Sequence, residues 1–374
     1  MSPGRRPLYI GLMSGTSVDA VDGVLARFDD DSPGAPVSTL AYSSRPIPPR
    51  LRGELLALQQ SGPDELARSA LATIALTDLY AEVAADLLTR ADGIGVAGIG
   101  AHGQTVRHRP ELGYTLQLID GARLAELSGC TTVVDLRSAD VAAGGQGAPL
   151  VPAFHALAFS SATRRRAVVN IGGIANVSLL PAGGGAVTGF DTGPGNLLMD
   201  AWCERHTGAA FDRGGAWAAT GTVDPTLLGC LRQEPYFALP APKSTGRDLF
   251  TPAWLDARLD ALPGARPPED VQATLAELTA STIADACRAF GAEECRICGG
   301  GAHNDHLMDR LRALMAPVEV TSTSEIGVAP GTVEALAFAW LARERLLGRP
   351  ASLPAVTGAR GPRILGAMHA PPPA

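Results

Sequence analysis

The segment GFDTGPGN, residues 189–196, sets one carboxylate, Asp191, between an apolar run and a Gly-Pro-Gly turn. A carboxylate isolated in this way can take a proton from a nucleophile as general base. The same pattern also suits an Asx turn or a helix cap. Three glycine-bearing turns suggest a second kind of chemistry. In GLMSGTSVDAVD (11–22), Ser14, Gly15, Thr16 and Ser17 can offer backbone N–H groups and hydroxyls to phosphate oxygens without carrying positive charge. NIGGIANVS (170–178) repeats the arrangement. CGGGAHN (298–304) runs from an apolar strand through three glycines, which lets a flat ring lie close to the backbone. Each of the three also reads as an ordinary hairpin turn or strand–helix connection.

Other constellations are weaker. GIGVAG (93–98) fits GxGxxG, but no clear strand precedes it and no helix opens from it. His303, Asp305 and His306 read as the solvent face of a helix start rather than a metal site. Cys295 and Cys298 form a CxxC with no second pair to complete a zinc set. No GxSxG supports a hydrolase nucleophile. The one lysine, Lys243, follows Pro242 rather than glycine, so no P-loop is present.

The elements that position these residues can be read from periodicity. LYIGLM and VDGVLARF are two strands around the first glycine turn, and 29–36 is a loop. Over 64–90 the apolar positions Leu66, Ala70, Leu71, Ile74, Leu79, Val83 and Leu87 recur at helical spacing. Residues 94–101 and 131–136 are buried strands. A Gly-rich stretch at 142–152 marks a domain boundary. A strand, AVVN, and a glycine turn then restart the chain, echoing the N-terminal hairpin. The proline-rich residues 235–268 read as irregular. Asp270 is placed to cap a helix ending at Phe290. A strand at CRIC, a helix after the three glycines and a last helix over 332–347 complete the alternation, and the PPPA tail is expected to fray. Strands alternating with helices give an α/β class.

Composition bounds the rest. The 374 residues suggest two domains, and 46 % hydrophobic with 18 % charged residues supplies a sizeable core. A net charge of −7 disfavours nucleic-acid binding. Arg5 and Arg6 precede only a short apolar run, so no signal peptide is expected, and no run is long enough to span a membrane. The six cysteines read as reduced thiols. A cytoplasmic protein is the expectation.

Taken in order, GLMSGTSVDAVD, AHGQTVRH, DLRSADVAAGGQGAPLVPAFH, NIGGIANVS, GFDTGPGNLLMDAW, PAPKSTGRDLF, DVQATLAELTA, CGGGAHN and EALAFAWLA span residue 9 to about 368. Together they closely resemble the anhydro-N-acetylmuramic acid kinase family, within the superfamily of actin, sugar kinases and heat-shock ATPases. The resemblance implies a two-domain actin-like ATPase (ribonuclease H-like) fold with ATP in an interdomain cleft. Domains are expected at 1–135 plus about 350–374, and at 136–349.

The implied reaction opens the 1,6-anhydro ring with water and phosphorylates O6 from ATP, giving N-acetylmuramic acid 6-phosphate for cell-wall recycling. Asp191 matches the catalytic aspartate. Gly11, Leu12, Met13, Ser14, Gly15, Thr16, Ser17 and Val18 match the ATP loop. Gly172, Gly173, Gly193, Gly195 and Asn196 belong to the second phosphate side, and Gly299, Gly300, Gly301 and Asn304 to the adenosine side. Substrate contacts are expected among Asp19, His102, Gln104, Arg137, Asp140, Asn170 and Glu334, with Arg137 suited to the lactyl carboxylate. Mg²⁺ is expected with ATP, though no protein ligand is evident: Met13 stands where many superfamily members carry an acidic residue. A homodimer is implied. Ala20 replaces a usual glycine, and Ser138 and Ala139 replace charged residues.

Two alternatives share parts of this pattern. A kinase for an ordinary hexose or amino sugar would use its aspartate on a sugar hydroxyl. A non-catalytic nucleotide-binding regulator would lack the HGQT and DLRSAD–GGQGAP segments, both present here.

Overall fold

A computed structural model describes residues 6–15, 17–246 and 249–373. Thr16 therefore lies outside the described residues. The chain divides into two compact units, Met1–Ala158 with Thr332–Ala374, and Phe159–Gly331.

The first unit holds a six-stranded sheet of order β13-β7-β4-β1-β2-β3. Its strands are β1 (Leu8–Ser14), β2 (Ala20–Phe28), β3 (Val37–Pro46), β4 (Val96–Ala101), β7 (Thr132–Val134) and β13 (Ala367–His369). β1, β2 and β3 form an antiparallel meander, and β4 and β7 extend it in parallel from β1. A small hairpin, β5 (Gln104–Arg109) with β6 (Tyr114–Leu118), stands apart from that sheet. Helix Glu65–Thr89, rich in Ala and Leu and free of internal Gly or Pro, buries Leu76, Tyr80, Val83 and Leu87 among Leu12, Val18 and Leu25.

The second unit repeats the plan. β8 (Arg166–Ile171), β9 (Ile174–Leu180) and β10 (Thr188–Pro194) form a meander, and β11 (Glu294–Cys298) and β12 (Glu319–Ser322) run parallel to β8. Helix Pro268–Phe290 carries Val271, Leu275, Leu278 and Ile283 into the core. Both meanders are thus followed by parallel strands in the order 3-2-1-4-5. This is the ribonuclease H-like arrangement, and two copies in one chain make the actin-like ATPase fold. The two halves suggested by the echoing hairpins are real at the level of strand order.

The compact units divide elsewhere than at 135/136 and 349/350. Residues 136–158 and the helix Val333–Leu346 belong to the first unit. The reason is a pair of glycines in register on β1 and β4, Gly11 and Gly100. A Cβ on Gly11 would lie 1.8 Å from the Ala335 carbonyl oxygen, and one on Gly100 would lie 2.1 Å from that of Phe338. The helix backbone rests directly on the strands, which only glycine permits.

Two further expectations change. Residues 235–268 are not wholly irregular: helices Pro235–Ala238 and Pro252–Asp260 form there, each begun by a proline that pre-sets φ. Asp270 lies inside the first turn of its helix rather than at the cap, and its carboxylate accepts from Thr222 N at 2.7 Å. Near the C-terminus, β13 pairs with β7.

Candidate active site

In each unit the predicted residues gather at the carboxyl ends of parallel strands, where α/β sheets place their ligands. The first unit brings together the end of β1, the residues after β4 and the turn after β7. The turn after β1 is short and strained. Val18, a β-branched residue fully buried in the core, sits at φ 56°, a conformation that is costly for such a side chain. Gly15 O accepts from Val18 N at 3.1 Å, closing the turn.

The eight residues expected to face phosphate are not equivalent. Gly11 seats a helix and Leu12 is core. Met13 pairs across the hairpin with Asp22, whose carboxylate accepts from Tyr42 Oη at 2.6 Å. Ser14 is buried, and its hydroxyl donates to Gly103 O at 3.2 Å and accepts from Tyr80 Oη at 2.9 Å. That inward hydroxyl ties the strand end to the helix Glu65–Thr89. Gly15 and the exposed Ser17 form the turn itself. Asp19 is exposed and pairs with Arg52 at 3.4 Å.

His102, Arg137 and Asp140 form a connected chain. His102 is buried, with its ring centre 4.8 Å from that of Phe338. Its Nδ1 lies 2.8 Å from Gly103 O, which requires a proton on Nδ1. Its Nε2 then accepts from Arg137 Nε at 3.0 Å and from Arg137 Nη2 at 2.8 Å. Burial first, and the guanidinium second, hold the imidazole well below its ordinary pKa, so it is a neutral acceptor. Arg137 Nη1 donates to Gly147 O at 2.7 Å. Gly147 N in turn donates to Asp140 Oδ2 at 2.8 Å, and Thr357 Oγ1 donates to Oδ1 at 2.8 Å. Asp140 is 0 % exposed. Both its oxygens bond within the chain, so it anchors this turn. Gln104 is buried at the start of β5, and its Oε1 has no partner among the described residues. An orphaned buried acceptor of this kind fits a ligand donor. Glu334 stands in the first turn of the helix that rests on Gly11 and Gly100.

The second unit gathers its residues around β8, β10 and β11. Asn170 ends β8 beside Cys298 of β11, and a Cβ on Gly299 would lie 2.3 Å from Asn170 Oδ1. Gly172 O and Gly173 O accept from Asn196 N and Gly195 N at 2.8 and 2.9 Å, tying the second glycine turn to the start of helix Leu197–Thr207. Gly193 lies at φ 145° against the Phe237 ring. Gly301 packs against Ile171, and a Cβ on Gly300 would come within 3.5 Å of Asn196 Nδ2. Asn304 is an N-cap, accepting from Leu307 N at 3.0 Å.

Asp191 lies on β10 next to a register shift between Asp191 and Gly193. Such a bulge re-aims side chains. Thr245 N donates to Asp191 Oδ2 at 3.0 Å. Tyr236 Oη donates to Asp191 O at 2.7 Å, and Asp191 N donates to Lys243 O at 3.2 Å. Burial, with the nearby Asp191 charge, pushes the Tyr236 hydroxyl well up, so it stays a donor. Thr245 Oγ1 has no partner among the described residues. The carboxylate is half-buried, which leaves it within reach of a ligand.

The sequence profile described as anhydro-N-acetylmuramic acid kinase matches residues 7–371. A protein of that name from Bordetella avium is 57 % identical, covering 98 % of this chain and 97 % of its own. One from Variovorax paradoxus is 55 % identical, covering 97 % and 98 %. The chain belongs to the anhydro-N-acetylmuramic acid kinase family. It is a kinase of anhydro-N-acetylmuramic acid, and its role in cell-wall recycling follows from the family.

For an anhydro-N-acetylmuramic acid kinase, sequence reasoning missed Tyr80, Tyr236 and Thr245. Tyr80 reads as one more core position of a helix. Thr245 lies in PAPKSTGRDLF, but only folding shows that its N–H meets Asp191. Among the described residues no three or more His, Cys, Asp or Glu side chains gather as a metal site, and no helix is long and apolar enough to cross a membrane.

Proposed function

We propose that Asp191 is the general base of a coupled hydrolysis and phosphoryl transfer. It takes a proton from water as that oxygen attacks C1 of the 1,6-anhydro sugar. The C1–O6 bond breaks, O6 attacks the γ-phosphorus of ATP, and ADP leaves. The supporting observation is the Asp191 carboxylate, its Oδ2 accepting from the Thr245 N–H beside a bulge, with Thr245 Oγ1 unpartnered among the described residues.

Arg137, fixed by His102 and Gly147, is the proposed partner of the lactyl carboxylate, since a guanidinium fork matches it. Gln104 Oε1 is a proposed acceptor for a sugar N–H or O–H. Gly15 and Ser17 are proposed for the β/γ-phosphates, and Gly299–Gly301 for the adenosine side. Mg²⁺ supplies charge neutralisation on the phosphates. Among the described residues no group of three or more His, Cys, Asp or Glu side chains gathers to hold it, so it would be held chiefly through the nucleotide. ADP release tests the reading. Turnover on the anhydro sugar and not on N-acetylmuramic acid supports it, and the reverse makes this a simple sugar kinase.

ATP dependence and six free cysteines support a cytoplasmic location. A homodimer is supported by one exposed face of helix Glu65–Thr89, where Leu66, Leu71 and Ile74 are 88 %, 68 % and 42 % exposed among Ala67, Ala70 and Ala75. An uncharged stripe of this kind marks an interface. Leu71→Asp is expected to shift sedimentation from dimer to monomer. An unchanged dimer would place the interface elsewhere.

A further inference from the structure

Lys243, the only lysine in the chain, is half-buried beside the strand that carries Asp191. Its Nζ donates to the main-chain carbonyls of Tyr236 at 3.1 Å and Phe237 at 3.2 Å. It also lies 4.7 Å from the Tyr236 ring centre, within cation–π range. The ammonium therefore draws the chain at 243 back onto the chain at 236. Both ends of the loop so closed bond Asp191: Tyr236 Oη holds its carbonyl, Lys243 O its N–H, and Thr245 N its carboxylate.

We infer that Lys243 is a positioning residue for Asp191, its ammonium pinning the 236–245 loop so that the Thr245 N–H orients the carboxylate. The inference rests on the reading of Asp191 as the base.

The choice of residue supports this. The chain otherwise uses arginine for every basic position. A guanidinium is a flat fork that matches carboxylates, whereas an ammonium is a compact charge whose donors can serve two carbonyls below an aromatic face. Lys243 touches neither sugar nor nucleotide in this role. A cavity of about 210 Å³ adjoins it, walled by Phe190, Thr192 and Phe237 and by the ion-paired Arg232 and Asp285. Those two and Lys243 are the ionisable side chains among the residues that line it. Burial lowers the lysine's pKa, and its two carbonyl acceptors favour the charged form.

The test uses the full chain with Lys243→Met, Lys243→Gln and, as a cavity-wall control, Arg232→Met. Steady-state kinetics on the anhydro sugar and ATP, the pH dependence of kcat and the folded fraction are measured together. Lys243→Met is expected to lose about 10–100-fold in kcat with both KM values nearly unchanged, the scale of a slightly misplaced catalytic group. The acid limb of its kcat profile moves upward, because a carboxylate that loses an N–H donor protonates more readily. Lys243→Gln keeps one donor and moves both readouts in the same direction by less, so it carries the test if Lys243→Met folds poorly. Arg232→Met leaves both in place. A kcat that falls only with the folded fraction, with the acid limb unmoved, overturns the inference and leaves Lys243 as a structural strut. Asp191→Asn is run alongside. Normal turnover there defeats the base reading itself, whereas an inactive Asp191→Asn beside a wild-type-like Lys243→Met defeats only the role of the lysine.

Discussion

Asp140 lies shortly after strand β7 in the first unit and Asp191 lies on β10 in the second, and both are in segments rich in glycine. Their surroundings differ in one respect that decides their work. Asp140 is 0 % exposed, with one oxygen on Gly147 N and the other on Thr357 Oγ1. Asp191 is half-buried, and Thr245 N donates to its Oδ2. A fully buried carboxylate that bonds its own chain through both oxygens is an anchor, because it ties together segments distant in sequence. A half-buried carboxylate on a bulged strand suits the proposed role of base. The anchor still serves the site, since Gly147, which it holds, presents the carbonyl that takes Arg137 Nη1.

Substitution separates the two roles. Asp191→Asn keeps the shape of the side chain and removes its basicity. It is expected to cost about 10²–10⁴-fold in kcat while the affinity for ATP and the midpoint of thermal unfolding stay near wild type. Asp140→Ala should show the opposite pattern. It leaves the Gly147 N–H buried without its acceptor, a loss of about 1–3 kcal/mol of stability by urea titration. The KM for the sugar should rise as Arg137 loosens, with kcat retained. A collapse of kcat in a folded Asp140→Ala protein would break the distinction.

The smallest effect concerns acid. His155 is fully buried and pushed down to about 3, and burial together with Arg137 lowers His102 as well. Both stay neutral in the folded chain while the unfolded chain protonates them near pH 6.5. The unfolded state then binds more protons, so stability falls as pH drops below that value, by about 1.4 kcal/mol per pH unit for each histidine at most. Urea midpoints at mildly acid and neutral pH check this.

Much of the frame is legible in the sequence because it is local. The two glycine-centred hairpins, the long helix near residue 70 and the strand CRIC follow from periodicity and turn residues. Asp191 stands out for the same reason, as a single carboxylate between a strand and a turn. The rest depends on contacts between distant residues. Asp140 is matched to Thr357, Ser14 to Tyr80, and Gly11 to a helix more than 300 residues away. Nothing near Gly11 distinguishes a glycine that admits a phosphate from one that admits a helix backbone. β13 is three residues long and owes its conformation to β7 rather than to its own pattern.

The central claim is that Asp191 activates the water that opens the sugar ring. A single turnover in H₂¹⁸O, with ATP and the anhydro sugar, examines it by mass analysis of the product. Wild type is predicted to give a 6-phosphorylated sugar with one ¹⁸O at C1, and Asp191→Asn to give neither ring opening nor phosphorylation at a comparable rate. Ring opening with ¹⁸O at C1 in Asp191→Asn at the wild-type rate would contradict the account.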